Sequence, residues 1–293
     1  VLSAFVWCTN TIVVRALGPV MPMQFAFWRM IIACLVLVLF AWAPVRRDLH
    51  ALLHHWKLML LLGATGIGGF NLLLYVGLQS TTALHGLLLQ SVIPFCIMIM
   101  AALLYGERPG MRQTLAILVS MAGVAVIVGQ GSLSALLHLE LARGDLWILG
   151  SVTAYGLYSV LLRRLPPLHP MSFLLGSFIG AAFILAWPAL WEYTRAGPLA
   201  WDGRLGAAAC YLAVGPAIVA YCGYNRGVSL IGPVRAGQYL HLVPVFGSLL
   251  AVMFLGEEFR LYLMGGIALI AAGLLLAQRR SVQTAGRPSA VRS

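Results

Sequence analysis

Charged residues are scarce in this sequence. Asp, Glu, Lys and Arg together make up only 9% of its 293 residues, and 61% are hydrophobic. Soluble domains average about 25% charged and about 45–50% apolar residues. A soluble globular fold is therefore excluded. Because a membrane-spanning helix needs about 20 apolar residues, the composition is sufficient for roughly eight to ten spanning helices.

Features typical of enzymes and of nucleic-acid-binding proteins are also lacking. The five cysteines lie in apolar stretches without C-x-x-C spacing, which disfavours redox and metal chemistry. His50, His54 and His55 have the spacing of a di-iron histidine box, but the other histidines are isolated. No nucleophile is paired with a base, and the basic residues form no long run. We predict no enzyme activity, no cofactor or metal, and no nucleic-acid partner.

Hydropathy, together with the positions of Pro, Gly and charged residues, predicts an all-α polytopic membrane protein with ten spanning helices. No cleavable signal is evident. Val1 already lies in an apolar segment, so we expect the first helix to extend beyond it. The predicted spans are 1–17, 22–43, 58–78, 83–104, 112–130, 145–164, 171–191, 205–229, 232–255 and 261–278.

The two halves of the sequence are similar to each other. A shift of 150 residues places Pro94 on Pro244 and Gly106-Glu107 on Gly256-Glu257. Each half therefore holds five helices. Because five is odd, the second half must enter the membrane from the opposite side, which predicts inverted repeats. The expected units are a first repeat at 1–130, a linker at 131–144, an inverted second repeat at 145–280 and a disordered cytoplasmic tail at 281–293.

The basic residues indicate the orientation. Most of the 19 Lys and Arg residues fall on the side of the predicted bundle that carries both termini. Cytoplasmic loops are enriched in Lys and Arg. We therefore expect both termini to be cytoplasmic, and we expect a monomer surrounded by membrane lipid.

The predicted architecture resembles the EamA family of the drug/metabolite transporter superfamily. The resemblance rests on two inverted five-helix repeats, whose fourth helices hold a central Pro and end in Gly-Glu, and it covers about residues 1–280. Within that family the sequence looks most like the YddG-type exporters of aromatic amino acids. The resemblance implies a bacterial inner-membrane exporter of amino acids or related small molecules, with a central cavity between the repeats.

Polar side chains inside the predicted spans are candidates to line such a cavity. Aromatic rings can stack on an apolar substrate and contact an ammonium group, and amides can bind a zwitterionic head group. The alternative is that these side chains form interhelical hydrogen bonds, worth about 0.6 kcal/mol on average. The candidate substrate-binding residues are Trp7, Asn10, Asn71, Tyr75, Gln90, Tyr155, Tyr158, Tyr221, Tyr224, Asn225, Gln238, Tyr239 and His241.

Three further residues have two interpretations each. Pro94 and Pro244 lie near the midpoints of their predicted spans, where a kink could serve as a gating hinge or only shape the packing. Arg29 lies seven residues into the second span. It could attract a substrate carboxylate, or it could pack among the helices or extend its side chain toward the membrane surface.

No acidic residue falls in the interior of a predicted span, and Asp145 lies at a helix end. Proton- and sodium-coupled transporters usually use a carboxylate within the membrane. The sequence therefore favours an uncoupled facilitator that works by alternating access. Proton coupling is the alternative, because His85 and His241 could titrate. A passive channel is a weaker alternative.

Overall fold

The computed structural model describes residues 1–18, 20–132, 134, 136, 142–255 and 260–278. Regular secondary structure within these ranges is helical. The helices are α1 (Leu2–Leu17), α2 (Pro22–Phe40), α3 (Trp42–His54), α4 (Trp56–Gly63), α5 (Gly69–Leu78), α6 (Ala83–Gln90), α7 (Ile93–Tyr105), α8 (Met111–Val128), α9 (Arg143–Leu161), α10 (Pro170–Ala196), α11 (Gly203–Leu212), α12 (Ala220–Ile231), α13 (Pro233–Gln238), α14 (Leu242–Leu255) and α15 (Leu261–Gln278).

Nine helical stretches in the described part of the chain are long and apolar enough to cross a membrane. They correspond to the second to tenth predicted spans, and α1, with 16 residues, is shorter. The predicted span 171–191 ends too early, because α10 continues to Ala196. The predicted tail at 281–293 lies outside the described residues.

Four spanning stretches are interrupted. The interruptions in the second half follow those in the first half by about 150 residues, which is the shift that aligns the two halves of the sequence. A π-helical segment, Ala64–Gly68, joins α4 to α5, and a second one, Ala213–Val219, joins α11 to α12. A break between Gln90 and Ile93 separates α6 from α7, and a 3₁₀ turn, Tyr239–His241, separates α13 from α14. Such interruptions are tolerated in a membrane protein only where neighbouring groups satisfy the freed backbone.

The helix α3 connects α2 to α4 and is fastened to the start of α10. The carboxylate of Asp48 accepts the backbone N–H of His169 at 2.8 Å, and Asp48 is buried. This hydrogen bond, which favours the charged form, holds the pKa of the Asp48 carboxyl below its usual value. The contact places the α2–α4 connection beside the α9–α10 connection.

Polar contacts join helix ends to one another at each of the two ends of the bundle. At one end of the bundle, Arg163 after α9 forms an ion pair with Glu107 after α7. At the other end, Glu192 near the end of α10 accepts the backbone N–H of Gln24 in α2 at 2.8 Å, and Arg204 donates to the carbonyl of Ala16 in α1. Each set of contacts joins helix ends that the sequence assigns to the same side of the membrane.

The helices α8 and α15 approach each other through glycines. A Cβ atom on Gly266 would lie 2.4 Å from Cγ1 of Ile127 and 2.8 Å from the carbonyl oxygen of Gly123. A Cβ atom on Gly273 would lie 2.6 Å from the carbonyl oxygen of Ala116. These distances leave no room for a side chain, which is the usual role of small residues between membrane helices.

We predict that Gly266→Ala lowers the free energy of unfolding in detergent by about 1–3 kcal/mol, because the added methyl group overpacks this interface. The melting temperature should fall accordingly. Gly265→Ala is the matched control, since a Cβ atom there meets nothing within 4 Å. The control should be neutral or slightly stabilising because Ala favours the helix. Equal melting temperatures for the two variants would contradict the close approach.

Candidate functional site

An aromatic cluster lies at the centre of the bundle. Trp7 of α1 contacts Tyr221 of α12 at a centroid distance of 5.2 Å and Tyr224 at 5.6 Å. Tyr155 and Tyr158 of α9 are 5.6 Å apart, and Tyr155 is also 5.6 Å from Tyr224. All four tyrosines are at most 7% exposed. Three helices therefore bring together five of the predicted site residues: Trp7, Tyr155, Tyr158, Tyr221 and Tyr224.

Hydrogen bonds between α9 and α12 fix the orientation of these rings. The Tyr158 hydroxyl donates to Oδ1 of Asn225 at 2.8 Å. The Tyr224 hydroxyl and the Ser159 hydroxyl lie 2.7 Å apart. Asn225 thus joins the cluster as predicted, whereas Ser159 was not predicted because a serine inside a helix gives no distinctive sequence signal.

The cluster is anchored to the two π-helical segments. The Tyr221 hydroxyl donates to the carbonyl oxygen of Gly66 at 2.8 Å, and the indole N–H of Trp7 donates to the carbonyl oxygen of Pro216 at 2.9 Å. Gly66 also allows the Tyr158 ring to approach, since a Cβ atom there would lie 2.2 Å from the ring carbons. The segments thus determine both the position and the spacing of the rings.

Two polar atoms in the cluster lack a well-formed hydrogen bond. The amide nitrogen Nδ2 of Asn225 is buried without a partner in the described ranges, and the buried Tyr155 hydroxyl interacts with the Tyr224 hydroxyl without the geometry of a normal hydrogen bond. A buried polar group without a partner costs about 1–3 kcal/mol. Both groups are therefore left with unused hydrogen-bonding capacity in this arrangement of the rings.

A cavity of about 260 Å³ borders the cluster. Tyr224 forms part of its wall, together with Ser3 and Ala4 of α1 and with Tyr239. The rings of Tyr155, Tyr158 and Tyr221 do not line it, because they pack against one another. In this conformation the space lies beside the aromatic cluster, on the side of the N-terminal end of α1.

The candidates Gln238, Tyr239 and His241 form a separate group beside α8 and α15. His241 is 1% exposed, and its ring nitrogens lie 2.7 Å from the Ser120 hydroxyl and 2.8 Å from the Ser91 carbonyl oxygen. The Tyr239 hydroxyl accepts from the amide of Gln278 at 2.9 Å. His241 joins α13–α14 to the break between α6 and α7, whereas Tyr239 lines the cavity.

Three more candidates stand apart from the ring contacts of the cluster. The Asn71 amide donates to the carbonyl of Ile67 at 2.6 Å, and the Gln90 amide donates to the carbonyl of Gly86 at 3.1 Å. These are bonds to the preceding turn of the same helix. Tyr75, one turn after Asn71, is half-buried against the main hydrophobic core.

The two candidate hinge prolines lie near the midpoints of their spanning stretches, as predicted, and each is near the start of the helix that follows a break. Pro94 is the second residue of α7, and Pro244 is the third residue of α14. Each follows one of the interruptions described above. The backbone is therefore already broken before the proline, where its missing N–H removes no bond of a continuous helix.

Asp145 lies in the first turn of α9, as predicted, but the burial of its carboxylate was not predicted. It is 1% exposed within the stretch Arg143–Arg164. Its carboxylate accepts from the Thr81 hydroxyl at 2.6 Å and from the backbone of Ala142 at 2.9 Å, and it lies 2.8 Å from Nδ1 of His85. The sequence gives no signal for the contacts with Thr81 and His85, because these two residues lie 64 and 60 positions away.

Asn10 lies next to the aromatic cluster and binds the guanidinium group of Arg29. The distance from Nη1 of Arg29 to Oδ1 of Asn10 is 3.1 Å. Arg29 is buried, at 7% exposure. The interpretation that its side chain extends to the membrane surface is therefore wrong for this structure.

Comparisons with known proteins agree with a transporter fold. The sequence model of the EamA-like transporter family matches residues 1–129 and 142–278. The uncharacterized transporter YyaM of Bacillus subtilis is 26% identical over 94% of this chain and 90% of its own length. A probable terminal-alkyne amino-acid exporter of Streptantibioticus cattleyicolor is 27% identical over 82% of this chain and 76% of its own length. A crystal structure with 21% identity superposes with a TM-score of 0.80 over 94% of both chains, which shows the fold alone.

We predict opposite effects of removing two neighbouring hydroxyl groups. Tyr158→Phe should lower the free energy of unfolding by about 1–2 kcal/mol, because it leaves the Asn225 oxygen buried without its donor. Tyr155→Phe removes a hydroxyl that makes no well-formed hydrogen bond and should be neutral or stabilising. Thermal unfolding of both variants in detergent tests this. Similar losses in the two variants would show that the cluster's hydrogen bonds do not determine its stability.

Proposed function

The chain belongs to the EamA-like transporter family, and we propose that it exports amino acids, in particular those with aromatic or other apolar side chains, and similar small metabolites. The aromatic cluster at the centre of the bundle carries this proposal. A probable amino-acid exporter among the relatives supports it. The relatives found are transporters, which agrees with transport rather than catalysis.

The substrate would bind where the cluster and the cavity meet. Trp7, Tyr155 and Tyr224 supply ring faces for an apolar side chain and for the cation–π attraction of an ammonium group. Once the rings separate, the Tyr155 hydroxyl and the amide N–H of Asn225, which lack well-formed hydrogen bonds here, would supply polar contacts. Asn10, Tyr158, Tyr221 and Tyr239 complete this site, whereas Asn71, Tyr75, Gln90, Gln238 and His241 would support the surrounding helices.

The proposed architecture is ten helices in two inverted repeats, at 1–130 and 145–280. The matched residues 1–129 and 142–278 support it. The recurrence of a π-helical segment and of a helix break after about 150 residues also supports it. In this arrangement α1 is the first spanning helix, and the segment 131–144 links the repeats.

The proposed location is the bacterial inner membrane, with both termini in the cytoplasm. The excess of basic residues on one side supports this orientation. The ion pair between Arg163 and Glu107 and the contact between Asp48 and His169 would then lie on the cytoplasmic side. The cavity beside the N-terminal end of α1 would open toward the cytoplasm, from which an exporter takes its substrate.

Alternating access would move the two repeats about the central cluster. Pro94 and Pro244 would act as hinges, because each lies directly after an interruption at the same position of its repeat. Helices that are already broken at these points can change their angle without breaking further regular hydrogen bonds. The substrate's own gradient would drive export.

A second candidate is proton-coupled export, and Asp145 favours it. A buried carboxylate beside a histidine can take up and release a proton. Against this, Asp145 lies ten residues before Tyr155 on α9, which corresponds to about 15 Å along the helix axis. The His85–Asp145 pair is thus remote from the aromatic cluster, and the uncoupled facilitator remains the primary proposal.

We predict that the purified protein in proteoliposomes exchanges labelled amino acids, with phenylalanine, tyrosine and tryptophan among its best substrates. Counterflow of each of the twenty amino acids measures this directly. Saturation and stimulation by substrate on the opposite side are expected, because both require a carrier. Flux without saturation or stimulation would indicate a channel, and no flux of any amino acid would overturn the proposed substrate class.

We predict that an imposed proton gradient leaves the initial rate of amino-acid efflux unchanged. The measurement compares the wild type with Asp145→Asn and with Glu107→Gln, a control that removes a partly exposed carboxylate. A rate that follows the gradient in the wild type and the control, but not in Asp145→Asn, would instead establish proton coupling through Asp145.

A further inference from the structure

Arg29 is a buried cation that forms no ion pair with an acidic residue in the part of the chain that the structure describes. Its Nη1 atom donates to Asn10, its Nε atom has no hydrogen-bond partner, and no Asp or Glu of the described residues forms an ion pair with it. Charges are almost never buried unless they are paired, because removing them from water is costly. The structure therefore places an uncompensated positive charge inside the bundle.

The other arginines whose side chains the structure describes do not share this environment. Arg163 is paired with Glu107, Arg195 is exposed beside the ring of Trp191, and Arg235 is exposed. The burial of Arg29 is therefore a local property of its site. A bond to one neutral amide oxygen positions the guanidinium group but leaves its charge uncompensated.

The position of Arg29 connects it to the aromatic cluster. Asn10 lies seven residues before the end of α1 and Arg29 lies seven residues after the start of α2, so both lie about 10 Å from the same end of the bundle. Trp7 lies one turn from Asn10, about 4.5 Å deeper along α1.

One face of α1 connects this position to the cavity. Ser3 and Ala4 line the cavity, Trp7 packs in the aromatic cluster, and Asn10 binds Arg29. Residues spaced by three or four positions lie on the same face of a helix. A molecule that passes along α1 from the cavity would therefore meet the aromatic rings first and the guanidinium group one turn further.

We infer that Arg29 binds the carboxylate of the substrate, with Asn10 as the residue that positions its guanidinium group. This inference rests on the proposed amino-acid export and extends it to the substrate's anionic group. A guanidinium group can form two parallel hydrogen bonds to a carboxylate. The apolar side chain of the substrate would lie against Trp7, and the carboxylate would supply the missing negative charge.

The test compares phenylalanine with its carboxamide, which retains the ring and the ammonium group but has no carboxylate. In proteoliposomes, the wild type should show a KM for phenylalanine at least about tenfold lower than for the amide, which corresponds to about 1.4 kcal/mol. In Arg29→Gln the KM for phenylalanine should rise by about that factor and the preference should disappear. Arg195→Gln, which removes an exposed charge, should retain the preference.

Asn10→Asp provides a second test in case Arg29→Gln does not fold. It keeps the size of the side chain and its acceptor oxygen, and it supplies a fixed negative charge to Arg29. We expect it to lose phenylalanine counterflow, because its carboxylate competes with that of the substrate, and to retain counterflow of the amide. Thermal stability of each variant in detergent separates loss of binding from loss of fold.

The outcomes distinguish this inference from the proposed function. A wild type that exchanges no amino acid would overturn both. A wild type that exchanges phenylalanine without preferring it over the amide, or with the same preference in every folded variant of Arg29 and Asn10, would overturn the role of Arg29 and leave amino-acid export intact. Loss of the preference in either folded variant supports it.

Discussion

The structure depends on the requirement that backbone carbonyl groups inside a membrane find hydrogen-bond donors within the protein. The two π-helical segments meet it in the same way: Tyr221 donates to the carbonyl of Gly66, and Trp7 donates to that of Pro216. These two bonds hold α1 and α12 at fixed distances from the irregular backbone. The aromatic cluster is therefore a consequence of the interrupted helices as much as of ring packing.

The same interruptions separate a rigid part of the bundle from a part that can rearrange. The helices α8 and α15 meet backbone to backbone through Gly123, Gly266 and Gly273, and a contact this close permits little sliding. The stretches that contain Pro94 and Pro244 are broken before the proline. In the proposed cycle, movement would be concentrated at these breaks and the glycine contact would remain intact.

Hydropathy predicted much of the fold, because long apolar segments leave little choice other than spanning helices. The i, i+3 and i+4 spacing of Tyr221, Tyr224 and Asn225 placed these residues on one face of a helix, and that face does contact the aromatic cluster. The sequence could not show which distant groups meet. The bond between Arg29 and Asn10 and the burial of Asp145 depend on how helices rotate and tilt against one another, which composition does not determine.

The Tyr155 hydroxyl and the amide N–H of Asn225, which lack well-formed hydrogen bonds, would affect the energetics of the proposed transport cycle. A buried polar group that lacks a hydrogen bond raises the free energy of its state by about 1–3 kcal/mol. A substrate that bonds to these groups would remove this penalty. The loaded protein would therefore pass through arrangements that bury the two groups more readily than the empty protein, which would limit conformational cycles without transport.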